Sequence, residues 1–211
     1  MSIATFERRV SRAIKRGNVF DNDIPPHAKD AVKTLEDVRN WKHMWVEEEV
    51  TLAAGANSRT VARLKSCEWI KVKDNDAIYH PVKKVSPVQL WSIEAGTPGG
   101  YWMSDLTTIQ FDRTPETDLT LRYGYYLYSQ YDDNLAWLTL SEACLVSQTI
   151  VEMHSVLKNP KLTQIHLPIV AAKLETLESA EIEAEFGGQD QRMVPFADET
   201  DEYLAEVQDF T

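Results

Sequence analysis

"TIQFDRTPETDLTLRYGYY", residues 108–126, decides how the fold is read. Ile109 and Phe111 alternate with Gln110 and Asp112. After a polar loop carrying Pro115, Leu119, Leu121, Tyr123 and Tyr125 alternate with Thr120, Arg122 and Gly124. A period of two with one apolar face marks a half-buried strand, and two such runs joined by a polar loop predict a hairpin. No catalytic motif lies on it, so it reads as scaffold.

Working outward, the residues before it, from Val46, also carry strand signals. "EEEVTLAAGANSRT" reads as a strand and a turn, and "ARLKSCEWIKVKDNDAIYHPVKKV" as two strands around Asp74-Asn75-Asp76. Ser86-Pro87 opens a short helical turn, and Gly96 to Gly100 is a breaker cluster ahead of "YWMS". This predicts an antiparallel β-meander of about five strands within residues 46–126.

Helical periodicity flanks that section on both sides. Ile3, Phe6, Val10 and Ile14 share one face of a helix predicted over 3–17 and stopped by Gly17. Ala28, Val32, Leu35, Val38, Trp41 and Trp45 recur at spacings of three and four, predicting a helix over 25–45 with Asp23 as its cap. Residues 134–158 are apolar nearly all round, as a central helix would be. Asn159-Pro160 breaks that run, and a last helix follows over 161–186, with Pro168 at its start or at a kink and Ile169, Ala172, Lys173, Leu177, Ala180 and Ala184 on one stripe. The expected class is therefore α+β: a helical bundle of the N- and C-terminal helices around a central antiparallel β-meander, in one domain over 1–188. Residues 189–211 have no period and read as an extended acidic C-terminal arm.

At 211 residues and 43% hydrophobic, the chain can bury a core; proteins of this size hide roughly 70% of their unfolded surface. No apolar run approaches the ~20 residues of a membrane helix, and the start lacks the apolar core of a signal peptide. Two cysteines, Cys67 and Cys144, make neither a disulfide framework nor a zinc site, which points to manufacture in a reducing cytosol. The net charge of −11 is concentrated at one end: Leu174 to Thr211 holds twelve acidic residues against one basic, while the first twenty residues hold five basic against one acidic. That polarity argues for interaction surfaces at both ends and against a nucleic-acid groove across the body. A solvated helix face with a solubilising tail explains the same composition.

Enzyme signatures do not assemble. Gly99-Gly100 and Gly187-Gly188 lack the lysine and the strand–helix setting of a phosphate loop. The five histidines are scattered, with no pair at metal-ligand spacing; His154 and His166, on apolar helices, read as satisfied core or interface groups. Cys144 reads as an inert buried thiol. Asp21-Asn22-Asp23 and Asp74-Asn75-Asp76 lack the glycine and distal glutamate of a calcium loop. Lys71, Lys73, Lys83 and Lys84 read as a solvated strand face, and most of the six tryptophans as core. No catalytic, cofactor-binding or metal-binding residues are expected.

The order of elements resembles the head-to-tail adaptor (head-completion) proteins of tailed bacteriophages, especially the short-tailed ones. "PVKKVSPVQL" (81–90), the stretch at 108–126 and "SEACLVSQTIVEMHSVLKNP" (141–160) carry the resemblance. The chain differs from the usual pattern in its more basic first helix and its long segment after Gly188. The resemblance implies a non-enzymatic virion protein, made in the host cytoplasm and resident at the head–tail junction. Its partners would be further copies of itself in a ring of twelve, the portal protein, a tail or nozzle protein, and double-stranded DNA passing through the lumen without specific binding; no membrane is implied. In that reading the hairpin sets the angle between the helices and the β-part. Val194, Phe196, Tyr203, Leu204, Val207 and Phe210 alternate with acids as portal-docking anchors of the arm, with a solubilising tail as the other reading. Gly55, Asn57, Arg59, Thr97, Gly99 and Gly100 belong to tail-facing loops, and Glu178, Glu181 and Glu185 line the lumen. A regulatory module that holds a partner through its amphipathic helices is the alternative.

Overall fold

A computed structural model describes residues 2–15, 17–73, 77–86 and 94–185. The described residues divide into two units, one up to Lys173 and the other from Leu174.

In the first unit, α1 (Ile3–Ile14) is capped by the Ser2 hydroxyl, which accepts from the Thr5 N–H, and buries Phe6, Val10 and Ile14. It stops before the expected Gly17, because Lys15 turns left-handed at φ 57° and donates its N–H to the Arg12 carbonyl. Helix α2 (Ile24–Asp37) has Pro25 and Pro26 in its first turn; Asp23 stands at the cap position without a side-chain bond. It ends well short of residue 45. Trp41, which continues its apolar spacing, lies beyond the end and donates Nε1–H to the Leu35 carbonyl at 2.9 Å, satisfying an orphan acceptor of the last turn.

The strands are β1 (Trp45–Leu52), β2 (Ser58–Thr60), β3 (Leu64–Lys73), β4 (Tyr79–Lys84), β5 (Glu94–Ala95), β6 (Gly100–Met103), β7 (Thr108–Phe111), β8 (Arg113–Thr114) and β9 (Leu119–Leu127). Seven form one sheet in the order β1-β9-β3-β4-β6-β7-β2, and β5 pairs with β8 apart from it. The sheet is mixed, because β4 and β6 run parallel. It curls until its two ends meet. Arg59 on β2 pairs with Glu48 on β1, its guanidinium 5.1 Å over the Tyr123 ring. The result is nearly closed and barrel-like, filled by side chains such as Ile70, Tyr101, Ile109, Phe111, Leu121 and Tyr123.

This overturns the expected helical bundle with an antiparallel meander. The hairpin expected at 108–126 does not form either. Strand β7 pairs with β6 and β2, β9 pairs with β1 and β3, and three strands separate them in the sheet. The alternation nonetheless marks the correct face: Ile109, Phe111, Leu121, Tyr123 and Tyr125 all point into one interior. The residues between them cross over, and β8 within that segment pairs parallel with β5.

Residues 134–158 are not one helix. They form α3 (Trp137–Leu140), α4 (Glu142–Glu152) and α5 (His154–Leu157). Ser141, at φ −160°, breaks the run, and its hydroxyl accepts from the Cys144 N–H to start α4. Both N-terminal helices pack on α4, with Arg9 bonded to Glu142 and Thr34 donating to Glu152 at 2.9 Å. Helix α6 (Pro160–Glu185) carries Pro168 inside it and crosses from the first unit into the second. No helix among the described residues is long and apolar enough to cross a membrane.

The joint between helices and barrel is Glu36, whose side chain is fully buried. Its carboxylate accepts from Trp137 Nε1–H at 3.1 Å and from the Ser129 N–H at 2.9 Å, with His43 Nε2 at 3.4 Å. Its main-chain carbonyl accepts from the Lys65 ammonium on β3. Trp41 and Trp137 meet edge to face at 5.3 Å beside it. This polar knot therefore does the work expected of the hairpin, tying α2 to α3, to the exit from β9 and to the barrel wall.

Candidate assembly surface

The two loops expected to face a tail come together at one segment. Phe111 donates its N–H to the Asn57 carbonyl at 2.8 Å, and Gly55 donates to the Pro115 carbonyl at 2.8 Å. From the other side, Gly99 donates to Asp112 Oδ1 at 3.0 Å, Asp112 donates back to the Gly100 carbonyl at 3.0 Å, and Gly96 donates to the Thr114 carbonyl at 2.9 Å. Residues 111–115 thus hold the 53–57 loop on one flank and the 94–100 loop on the other. Thr97 and Gly99 are exposed, while Gly100 is buried at the start of β6. Gly55 takes φ 80°, the left-handed region that suits glycine. Arg59 is not a loop residue; it sits on β2 and closes the sheet seam with Glu48.

The first unit's part of α6 is the other unusual surface. Between Pro160 and Lys173 only Val170 is buried, and Ile165, Leu167 and Ile169 are 57%, 55% and 37% exposed. Side chains of this kind normally go inside. The expected stripe through Ile169 and Ala172 is therefore not the buried one; His166 and Val170 face inward instead, His166 Nδ1 lying 3.1 Å from the Ser147 hydroxyl. Burial lowers the His166 pKa from its ordinary value. His154 is exposed, its Nδ1 3.2 Å from the Val151 carbonyl. In the second unit, Glu178 and Glu181 are half-buried along α6 and Glu185 ends it. The six arm anchors, Val194, Phe196, Tyr203, Leu204, Val207 and Phe210, lie outside the described residues, as do the turn at 74–76 and the helical turn at 87–93.

Among the described residues, no group of three His, Cys, Asp or Glu side chains is placed to hold a metal. Burial pushes both thiols up to about 11, Cys67 despite a hydrogen bond with Tyr101 and Cys144 despite Lys173. At pH 8 only about one thiol in a thousand would then be ionised. We predict that neither cysteine is labelled by a maleimide in the folded protein, and that both are labelled after denaturation in urea. Rapid labelling of either in the native state would contradict the burial described.

Sequence reasoning missed Glu36 and the exposure of Ile165 and Leu167. A lone acid between Leu35 and Asp37 carries no motif. The signal for α6 was present, since it has more aliphatic positions than one helical stripe can hide. No model of a known protein family matches the chain, and no curated protein matches it.

Proposed function

We propose that the chain is a structural virion protein, a subunit of a ring beneath the portal of a DNA-filled head. The ring would hold twelve copies, join head to tail and extend the DNA exit channel. One observation carries this reading: α6 presents Ile165 and Ile169, one turn apart on one face, and Leu167 on another face to solvent, and an assembly would cover such side chains. A subunit of a closed ring needs two unlike faces that fit each other head to tail. The loops held by residues 111–115 offer a shaped rim to a tail or nozzle protein. An acidic lumen would repel the phosphate backbone, so double-stranded DNA slides without specific binding. The arm after Gly188 would dock on portal through its aliphatic and aromatic anchors.

Electron microscopy of the purified protein mixed with portal tests this. The expected image is a closed ring stacked coaxially on the portal, lost when residues 189–211 are deleted although the remaining body melts unchanged. A monomer without portal affinity at any concentration would sink the reading and leave a regulatory interaction module. Full-strength portal binding by the truncated chain would remove the arm assignment alone.

A further inference from the structure

We infer that the acidic end of α6 in one copy docks along α1 of the next, an inference that rests on the ring reading and names the two faces it requires. On α1, Arg8 and Arg12 stand at i and i+4, with Lys15 just past the helix at its C-cap; all three are exposed, and none forms an ion pair with a described residue. Arg9, on the neighbouring face, is already held by Glu142. Beside the basic stripe, between α1 and the start of α2, runs a groove of about 470 Å³ with Ala4 and the buried Ile24 among its walls and Arg8 and Arg12 on it. The groove also carries two acids, Glu7, which accepts from the Tyr131 hydroxyl at 3.1 Å, and Asp21, which accepts from the Ser11 hydroxyl at 3.2 Å, so the excess positive charge lies on the outer stripe.

The complement is on the second unit. Leu174 to Glu185 contains five glutamates and no basic residue. Glu175, Glu178 and Ile182 fall at i, i+3 and i+7, so they share one face, and Ile182 is 44% exposed. Seating Ile182 in the groove removes an aliphatic side chain from water, while the glutamates meet Arg8 and Arg12. Exposed charge pairs add little affinity one by one; they set orientation and partner choice, and the buried aliphatic supplies the driving force. Every copy carries both faces, so the contact is heterologous and propagates until the ring closes. The occupant is a second copy because the charge and the apolar anchor that fit the groove belong to this same chain. A phosphate backbone would match the arginines but bring no apolar side chain to set against Ala4.

Charge exchange tests it on the full chain. Sedimentation would follow self-association of R8E/R12E, of E175R/E178R and of all four changes together. Each pair alone is expected to weaken association about tenfold, the four together to recover it, and Ile182→Asp to weaken it without rescue. All these side chains are wholly or partly exposed, and an unchanged melting temperature would show the fold intact. If either reversed pair associates normally, or the four together fail to recover, the inference is overturned. Wild-type rings on portal would still uphold the adaptor reading in that case. Absence of wild-type rings with and without portal would overturn both.

Discussion

Replacing Glu36 with alanine is expected to destabilise the protein by about 3–5 kcal/mol, because it removes one member of a buried charged network and strands the others. The Trp137 indole N–H and the Ser129 N–H would lose their acceptor in a region closed to water, and each unsatisfied donor costs roughly 1–3 kcal/mol. A cavity next to Trp41 and Trp137 adds to the loss. Glu36→Gln keeps the shape and one acceptor oxygen, so its loss should be smaller. The pH dependence separates the two contributions. Burial alone would raise the Glu36 pKa, but hydrogen bonds involving His43, Ser129 and Trp137 outweigh it and hold the carboxyl below its ordinary 4.5. A carboxyl lowered on folding stabilises the native state at pH values above 4.5, and that contribution fades as the pH falls from 4.5 through the folded value. The gap between wild type and Glu36→Gln in urea unfolding should therefore be constant near neutrality and shrink below pH 4.5. An alanine variant within 1 kcal/mol of wild type at pH 7 would refute the role of Glu36 as the joint.

The same residues show where reading from sequence succeeds and where it stops. Alternation at Ile109–Phe111 and Leu119–Tyr125 reports which side of a strand is buried, and it did so correctly. It carries no information about the partner, because every strand of a curled sheet shares one interior. Hairpin pairing of neighbours is the default only where the loop permits it, and here the loop is spent on β8 and on holding Gly55 and Gly96. The parallel approach of β4 and β6 had no local sign at all. Trp41 and Trp45 kept helical spacing past Asp37 because the chain folds back over the helix end, where a buried residue can occur at any spacing. Ser141, followed by Glu142 in the first turn, was a legible start signal for α4 that the apolar run around it obscured. On α6, Ile169 and Val170 are adjacent and equally apolar, so periodicity could not choose the inward one.

Gly124 is the position where a single methyl group should do most damage to the barrel. It lies in β9 opposite Trp69 on β3 and Glu47 on β1, next to the irregularity in register between Cys67 and Trp69. Its backbone does not call for glycine; its surroundings do. A Cβ there would lie 2.3 Å from Trp69 Cε2, 2.4 Å from Trp69 Nε1 and 2.6 Å from Trp45 Cη2. These are rigid rings held together on the outer face. Trp45 packs on Tyr126 at 4.9 Å between centroids, and Lys71 lies over the Trp69 ring at 5.0 Å. Gly124→Ala should therefore cost about 1–3 kcal/mol, against the roughly 0.5–1 kcal/mol that replacing a strand glycine by alanine ordinarily gains. Gly124→Val should cost more still, since its branches meet both indoles. The cause is tested by a double-mutant cycle. If crowding against Trp69 is responsible, Gly124→Ala should cost clearly less when Trp69 is already alanine and Trp45 has room to shift, a coupling well above the ~0.5 kcal/mol seen for independent sites. Additive losses in urea unfolding would mean that Gly124 matters for another reason. A tolerant Gly124→Val variant with unchanged tryptophan fluorescence would mean that β9 does not approach β3 as closely as described.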